Sequence, residues 1–240
     1  MRRRFFIEQF EAGRAQMAGD EAHHLGRVLR AQPGQLYELS DGEDVWLGRV
    51  ETVGRETVNF ALVEKLDAYQ PKLEVTLLLS VVKFDAFEWA LEKATELGVS
   101  RIVPMAAERS EKGLLAAARK RAQRWEKLLL EASQQSRRVR LPLLSEVMKP
   151  ERAFTEYAEG SCVLLSERPD AVPLREVLGE AGTGTKAALA IGPEGGWTET
   201  ELAAGRNAGF LEASLGKLIL RTETAVIASL AAINYALGTD

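Results

Sequence analysis

The chain has 240 residues, 46% hydrophobic and 28% charged, with a formal net charge of -4. This is the composition of a folded globular protein long enough for one large domain or two modest ones, and it excludes collagen-like, low-complexity or disulfide-stapled classes. The single cysteine, Cys162, excludes an internal disulfide and suits a reducing cytoplasm; no window reaches the ~18 apolar residues of a membrane span, and MRRRFFIEQF lacks the apolar run of a signal peptide.

Residues 1–70 read as short strands broken by turns. Pro33-Gly34, Asp41-Gly42 and Gly54 are spaced as hairpin turns with alternating apolar residues between them, which predicts a small β-barrel or sandwich. A seam falls at LDAYQPKLEV, and residues 71–240 then alternate strands with helices. LEVTLLLSVV reads as a buried strand, AFEWALEKATELG as an amphipathic helix stopped by Gly98, and SRIVPM as a second strand. Residues 115–133 read as one long basic helix. Between 101 and 140 there are 11 Lys/Arg against 4 Asp/Glu, whereas 151–240 holds 7 against 13. Such a block commonly just solvates a helix face, but it is also where phosphate contacts would find local positive potential.

SCVLLS and KAALAIG follow as strands. PLREVLGEAG and TETELAAGRNAGF follow as helices, the second with Thr198 and Glu201 at capping-box spacing. The chain closes with SLGKLILRTETAVIASLAAINYALG, a short strand and then a helix apolar nearly all round, to be buried in its own domain or against a partner. Alternation of this kind requires a mostly parallel α/β sheet covered by helices.

Two stretches carry candidate chemistry. LAIGPEGGW places Gly192, Gly195 and Gly196, stiffened by Pro193, after a strand, where parallel α/β proteins bind ligands. It lacks the Gly-Lys-Ser/Thr of a phosphate loop and the spacing of a dinucleotide fingerprint. Glu194 would repel a polyphosphate, so a cationic or phosphate-free ligand with an adenosine-like group fits better. LGKLILRTETA adds a turn at Gly216, an apolar wall at 218–220 and a polar cluster of Arg221, Thr222, Glu223 and Thr224. The two threonines are also candidate helix caps. Cys162 reads as a small buried hydrophobe rather than a nucleophile. The adjacent His23 and His24 have no further histidine to complete a metal site and, read as strand residues, point to opposite faces; no metal is expected.

IGPEGGW followed by SLGKLILRTETAVIASLAAI resembles the C-terminal signature of the RsmE-type 16S ribosomal RNA methyltransferases of the SPOUT superfamily. The likeness extends upstream through EKATELGVSRIVPMAAERS and RWEKLLLEASQQSRR to HHLGRVLRAQPGQLYELSDG. In KFDAFEW, Lys83, Asp85 and Glu88 match the family pattern, while Phe84 and Ala86 stand in place of a glycine and a lysine. The resemblance implies an N-terminal PUA-like RNA-binding β-barrel over 1–70 and a trefoil-knotted α/β methyltransferase domain over 71–240. It implies a cytoplasmic homodimer that uses S-adenosyl-L-methionine to methylate uracil N3 at one uridine of 16S rRNA in the small ribosomal subunit.

Carried onto this chain, the donor would be held by Leu165, Ser166 and Glu167, by Ile191, Gly192, Pro193, Gly195 and Gly196, and by Leu215, Gly216, Leu220, Thr224 and Ala225. Arg221 is the candidate for stabilising charge on the uracil, and Glu223 for accepting its proton or orienting Arg221. The alternative is an Arg221–Glu223 pair that merely locks the last loop. Candidate RNA contacts are Arg2, Arg3, Arg4, His23, His24, Arg27 and Arg30, with Arg109, Arg137 and Arg138 from the second domain. The competing class is a PUA-type ribosome-assembly factor that binds RNA without catalysis.

Overall fold

The structure is a computed structural model describing residues 3–180 and 184–238. The chain divides into two compact units, Met1–Gln70 together with Ser133–Leu141, and Pro71–Ala132 together with Pro142–Asp240.

The first unit contains β1 (Arg4–Phe6), β2 (Phe10–Glu11), β3 (Arg14–Ala18), α1 (Gly19–His23), β4 (Leu36–Ser40), β5 (Val45–Val53) and β6 (Thr57–Lys65). They form one six-stranded sheet in the order β1-β4-β5-β6-β3-β2, antiparallel except for the β1–β4 pair. Register shifts after Leu47 and Val50 on β5 bend the sheet, as bulges do. Its edge strands share no ladder, so the sheet is half-barrel-like rather than a closed barrel. Alternate residues enclose a core of Phe5, Met17, Leu39, Val50, Val58 and Phe60. The Asp41-Gly42 turn between β4 and β5 is held by the Asp41 carboxylate, which accepts from the amides of Glu43 (2.9 Å) and Asp44 (2.8 Å).

α1 ends at His23 and runs straight into a π-helical turn over His24–Val28, so the two histidines are helical neighbours, not strand residues on opposite faces. Ala22 and Leu25 fill the core from this segment, and tertiary burial has overridden the strand pattern around it.

Residues 133–141 belong with the half-barrel although they come from the middle of the chain. Ser40, fully buried, donates its hydroxyl to the Val139 carbonyl at 2.8 Å. Arg4 pairs with Glu38 at 3.0 Å and also donates to the Arg137 carbonyl.

The second unit contains β7 (Glu74–Ser80), α2 (Phe84–Glu96), β8 (Arg101–Met105), α3 (Lys112–Ala118), α4 (Ala122–Gln135, its end passing into the first unit), β9 (Leu143–Leu144), α5 (Pro150–Glu156), β10 (Ser161–Leu165), β11 (Val172–Pro173), α6 (Leu174–Glu180), β12 (Lys186–Ile191), α7 (Glu199–Asn207), β13 (Leu211–Ser214) and α8 (Thr222–Leu237). The seven strands are all parallel, in the order β11-β13-β10-β12-β7-β8-β9. β7 and β12 are apolar almost throughout because both faces of the sheet are covered. One face buries Phe87, Leu91, Trp125, Val226, Leu230 and Ile233; the other buries Phe154, Trp197, Leu202 and Phe210.

The single long helix expected over 115–133 is two helices, α3 and α4, joined by a 3₁₀ turn at Arg119–Arg121. Arg121 there stacks over the Phe84 ring (4.0 Å) and, with Arg124, grips the nearly buried Glu88 carboxylate. α8 is docked within its own unit on one side: Val226, Leu230 and Ile233 are buried, and Asn234 donates to the Leu97 carbonyl at 2.7 Å.

Candidate active site

β13, β10 and β12 are adjacent and parallel, so the loops after Leu165, Ile191 and Ser214 leave the sheet side by side. They enclose a cleft of about 750 Å³ formed by residues 165–169, 191–197 and 214–222, with Arg109, Leu202 and Ala225. A crevice outside the carboxyl ends of parallel strands is the expected ligand position in an open α/β sheet.

The glycine loop is a tight turn closed by the Gly196 amide donating to the Pro193 carbonyl at 2.8 Å. Gly196 has φ +69°, which L side chains rarely adopt. Gly192 is demanded by space: a Cβ there would lie 2.9 Å from the Trp197 indole. The loop exits into α7 through the capping box, with the Thr198 hydroxyl accepting from the Glu201 amide and the Glu201 carboxylate accepting from the Thr198 amide at 2.8 Å. The other oxygen of Glu201, a residue only 2% exposed, accepts from the Glu108 amide at 2.9 Å. The next residue, Arg109, donates to the Gly195 carbonyl at 3.0 Å.

All the donor-site candidates except one line this cleft: Leu165, Ser166, Glu167, Ile191, Gly192, Pro193, Gly195, Gly196, Leu215, Gly216, Leu220 and Ala225 do so, and Thr224 does not. Arg221 lines it too, while Glu223 lies one turn-position into α8, outside the lining. Among the described residues Arg221 makes no ion pair, so the Arg221–Glu223 lock is absent. Nor do hydroxyls cap α8: its N-cap is Arg221, without a side-chain cap, and Thr222 is buried at the first helical position. Leu218 and Ile219 form an apolar rim, 83% and 81% exposed.

The RNA candidates separate. Arg3, His23, Arg27, Arg30 and Arg137 are exposed, and His24 is half-buried. Arg2 lies outside the described residues. Arg4 is 6% exposed with its guanidinium committed to Glu38 and the Arg137 carbonyl, so it serves the half-barrel rather than a surface ligand. Arg138 donates to the Arg140 carbonyl, and burial pushes its guanidinium down to about 10, still cationic at neutral pH. Arg109 stands at the glycine loop. Burial, reinforced by Glu159, raises the Cys162 thiol, which keeps it protonated and disfavours a nucleophilic role.

Sequence reasoning missed Arg168, Trp197 and the second arm of Glu201. Arg168 joins the first cleft loop to Asp170 and to Glu199 of α7 (2.9 Å). The capping-box spacing pointed to Glu201, but nothing local signals that its free oxygen reaches residue 108.

A seven-stranded parallel sheet with a glycine-lined cleft at its carboxyl edge, joined to a small half-barrel, defines a two-unit α/β enzyme architecture. The chain belongs to the RNA methyltransferase family: the RNA methyltransferase domain matches residues 69–234, and the RNA methyltransferase PUA domain matches 18–63. It is 28% identical to ribosomal RNA small subunit methyltransferase E of Bacillus subtilis (strain 168), over 97% of this chain and 96% of that one. The protein of the same description from Synechocystis sp. is 32% identical, covering 89% and 70%. Among solved structures, ribosomal RNA small subunit methyltransferase E from Neisseria gonorrhoeae bound to S-adenosyl methionine superposes with a TM-score of 0.88 at 29% identity, over 99% of each chain.

Proposed function

We propose that this protein methylates N3 of one uridine in the 16S rRNA of the small ribosomal subunit, with S-adenosyl-L-methionine as donor. The observation that carries the reading is the cleft itself, in which three loops of the family's methyltransferase domain converge on a glycine-containing turn beside Arg221. Relatives aligned over 96% and 70% of their own length are rRNA small subunit methyltransferases, which favours catalysis over a purely RNA-binding role. The cleft suits the donor: about 750 Å³ is within the roughly 300–1,000 Å³ of small-molecule sites. When bound there, S-adenosyl-L-methionine supplies an electrophilic methyl group.

The protein's share of the reaction is positioning and charge stabilisation. The 192–196 turn supplies backbone to the cleft lining, while Leu165, Leu215 and Leu220 supply apolar walls. Losing the imide proton spreads negative charge over O2 and O4 of the uracil, and Arg221, which lines the cleft, is the residue assigned to stabilise it. Glu223, outside the lining, would receive that proton only through solvent.

The exposed cations Arg3, Arg27 and Arg30 are proposed as phosphate contacts in an RNA-binding PUA-type unit, with Arg137, half-exposed and paired with Glu38 at 3.8 Å, at its side. The C-terminal loops are proposed to form the SPOUT trefoil knot. Exposed Leu218, Ile219 and Tyr235 (93% exposed) beside or on α8 support a homodimer built on that helix. No described helix is long and apolar enough to cross a membrane, and no described cluster of His, Cys, Asp or Glu could hold a metal; a cytoplasmic place follows from the rRNA substrate.

Mass spectrometry of 16S rRNA from a deletion strain tests the reading. The methylated uridine should vanish, return with the wild-type gene, and stay absent with Arg221→Ala. Purified Arg221→Ala should still bind S-adenosylhomocysteine; loss of that binding would refute the role given to Arg221.

A further inference from the structure

Trp197 ends the glycine loop, but its indole reaches past that loop. Its Nε1–H donates to the Leu165 carbonyl, buried and 2.8 Å away. Leu165 opens the cleft wall formed by 165–169, whereas Trp197 ends the wall formed by 191–197. The β10–β12 ladder has its last paired residues at Leu164 and Ala190. Beyond that point the backbones diverge to make the cleft, and the indole bond continues the cross-link where the ladder stops. The ring is also boxed in: it lies against the Cα of Gly192 on one side and packs edge-on to the fully buried Phe154 on another, with centroids 5.7 Å apart. An indole has a single donor, and a buried one is normally paired. Here its acceptor lies on the opposite wall.

We propose that Trp197 is a positioning residue of the methyl-donor site, setting the separation of the two cleft walls through the Leu165 carbonyl and Gly192 without touching the reacting atoms. The inference rests on the donor reading given above. Walls held before the ligand arrives lose less freedom on binding, so the bond acts on donor affinity more than on the transfer step.

Trp197→Phe keeps an aromatic ring at this position but removes the N–H together with part of the bicyclic indole, leaving the Leu165 carbonyl without its partner. The assays are calorimetric titration with S-adenosylhomocysteine and steady-state methylation of 16S rRNA with the donor varied. The Kd and the donor KM should each rise roughly tenfold, with kcat at saturating donor within about twofold of wild type. An unchanged Kd in folded Trp197→Phe overturns the proposal, as does a fall in kcat at unchanged donor KM. Failure of the wild-type protein itself to bind S-adenosylhomocysteine would instead remove the donor reading, and the proposal with it.

If Trp197→Phe does not fold, the wild-type protein labelled at its four indole nitrogens provides the second measurement. The Trp197 signal is assigned by replacing Trp46, Trp89 and Trp125 singly with Phe. Its exchange with deuterium should slow roughly fivefold or more at saturating S-adenosylhomocysteine; exchange indifferent to the ligand overturns the proposal.

Discussion

Glu201→Gln removes a buried carboxylate that ties three parts of the second unit together. One oxygen accepts from the Glu108 amide at 2.9 Å, and the other accepts from the Thr198 amide at 2.8 Å and the Thr198 hydroxyl at 3.0 Å. A glutamine presents one acceptor and one donor in the same space. If its oxygen keeps the Thr198 side, its NH₂ faces the Glu108 N–H, and that amide loses its partner. One bond to a charged group is then lost, at roughly 1.5–3 kcal/mol, and the remaining ones are weakened to neutral strength. The total comes to about 3 kcal/mol, or a fall in melting temperature of roughly 6–12 °C for a unit of this size.

The control is two residues away. Glu199 occupies the same first turn of α7 but is exposed, pairing with Arg168 at the surface, so Glu199→Gln should cost about 0.5 kcal/mol or less. Both variants remove one charge near the same helix N-terminus, so the helix-dipole contribution largely cancels between them. Urea unfolding followed by near-ultraviolet circular dichroism measures both. Equal losses in the two variants would refute the bridging role, because burial and the Glu108 contact are what distinguish Glu201.

Three further outcomes follow from particular contacts. The Glu88 carboxyl is held below the ordinary carboxylate range chiefly by hydrogen bonds from Arg124, against opposing burial and with help from Arg121. A depressed folded pKa stabilises above the unfolded value of about 4.3 and is lost as pH falls through the folded value. Glu88→Gln should therefore be less stable than wild type by about 1–2 kcal/mol at pH 7, discounted because Arg124 is 66% exposed, and the gap should narrow as pH falls below about 4.3; a pH-independent gap in urea melts would contradict this. Gly196→Ala should lose about 1 kcal/mol from its φ of +69° and weaken S-adenosylhomocysteine binding in a thermal-shift titration. A fragment of residues 1–70 should give a poorly dispersed NMR spectrum, since it lacks the 133–141 segment bonded to Ser40 and Arg4; a well-dispersed spectrum would show that segment to be dispensable.

Local pattern was a good guide wherever the deciding physics was local. The strand apolarity of TLLLS and AALAI, the turn chemistry of Asp41-Gly42 and the Thr198–Glu201 capping box all depend on residues within a few positions of each other, and each is found where its pattern predicts. The helical HHLGRVLR segment and the break at Arg119–Arg121 were not legible. The first depends on Ala22 and Leu25 reaching a core assembled from distant strands, the second accompanies a long-range grip on Glu88 and Phe84. In the site, the glycine positions of LAIGPEGGW and the polar run of LGKLILRTETA marked the loops. They did not separate Arg221, which faces the cleft, from Thr224, which does not: that is decided by where α8 begins.

By itself, then, the sequence determined the alternation that demands a parallel sheet, the seam near residue 70 and the identity of the loops at the sheet's carboxyl edge. Hydrophobic period, turn residues and caps are encoded over a few positions. Only the tertiary structure decided that β13, β10 and β12 lie side by side, that residues 133–141 complete the half-barrel, that Arg4 is buried in an ion pair, and that Trp197 spans the cleft. Each of those depends on which residues, tens of positions apart, compete for the same buried space and the same hydrogen-bond partners.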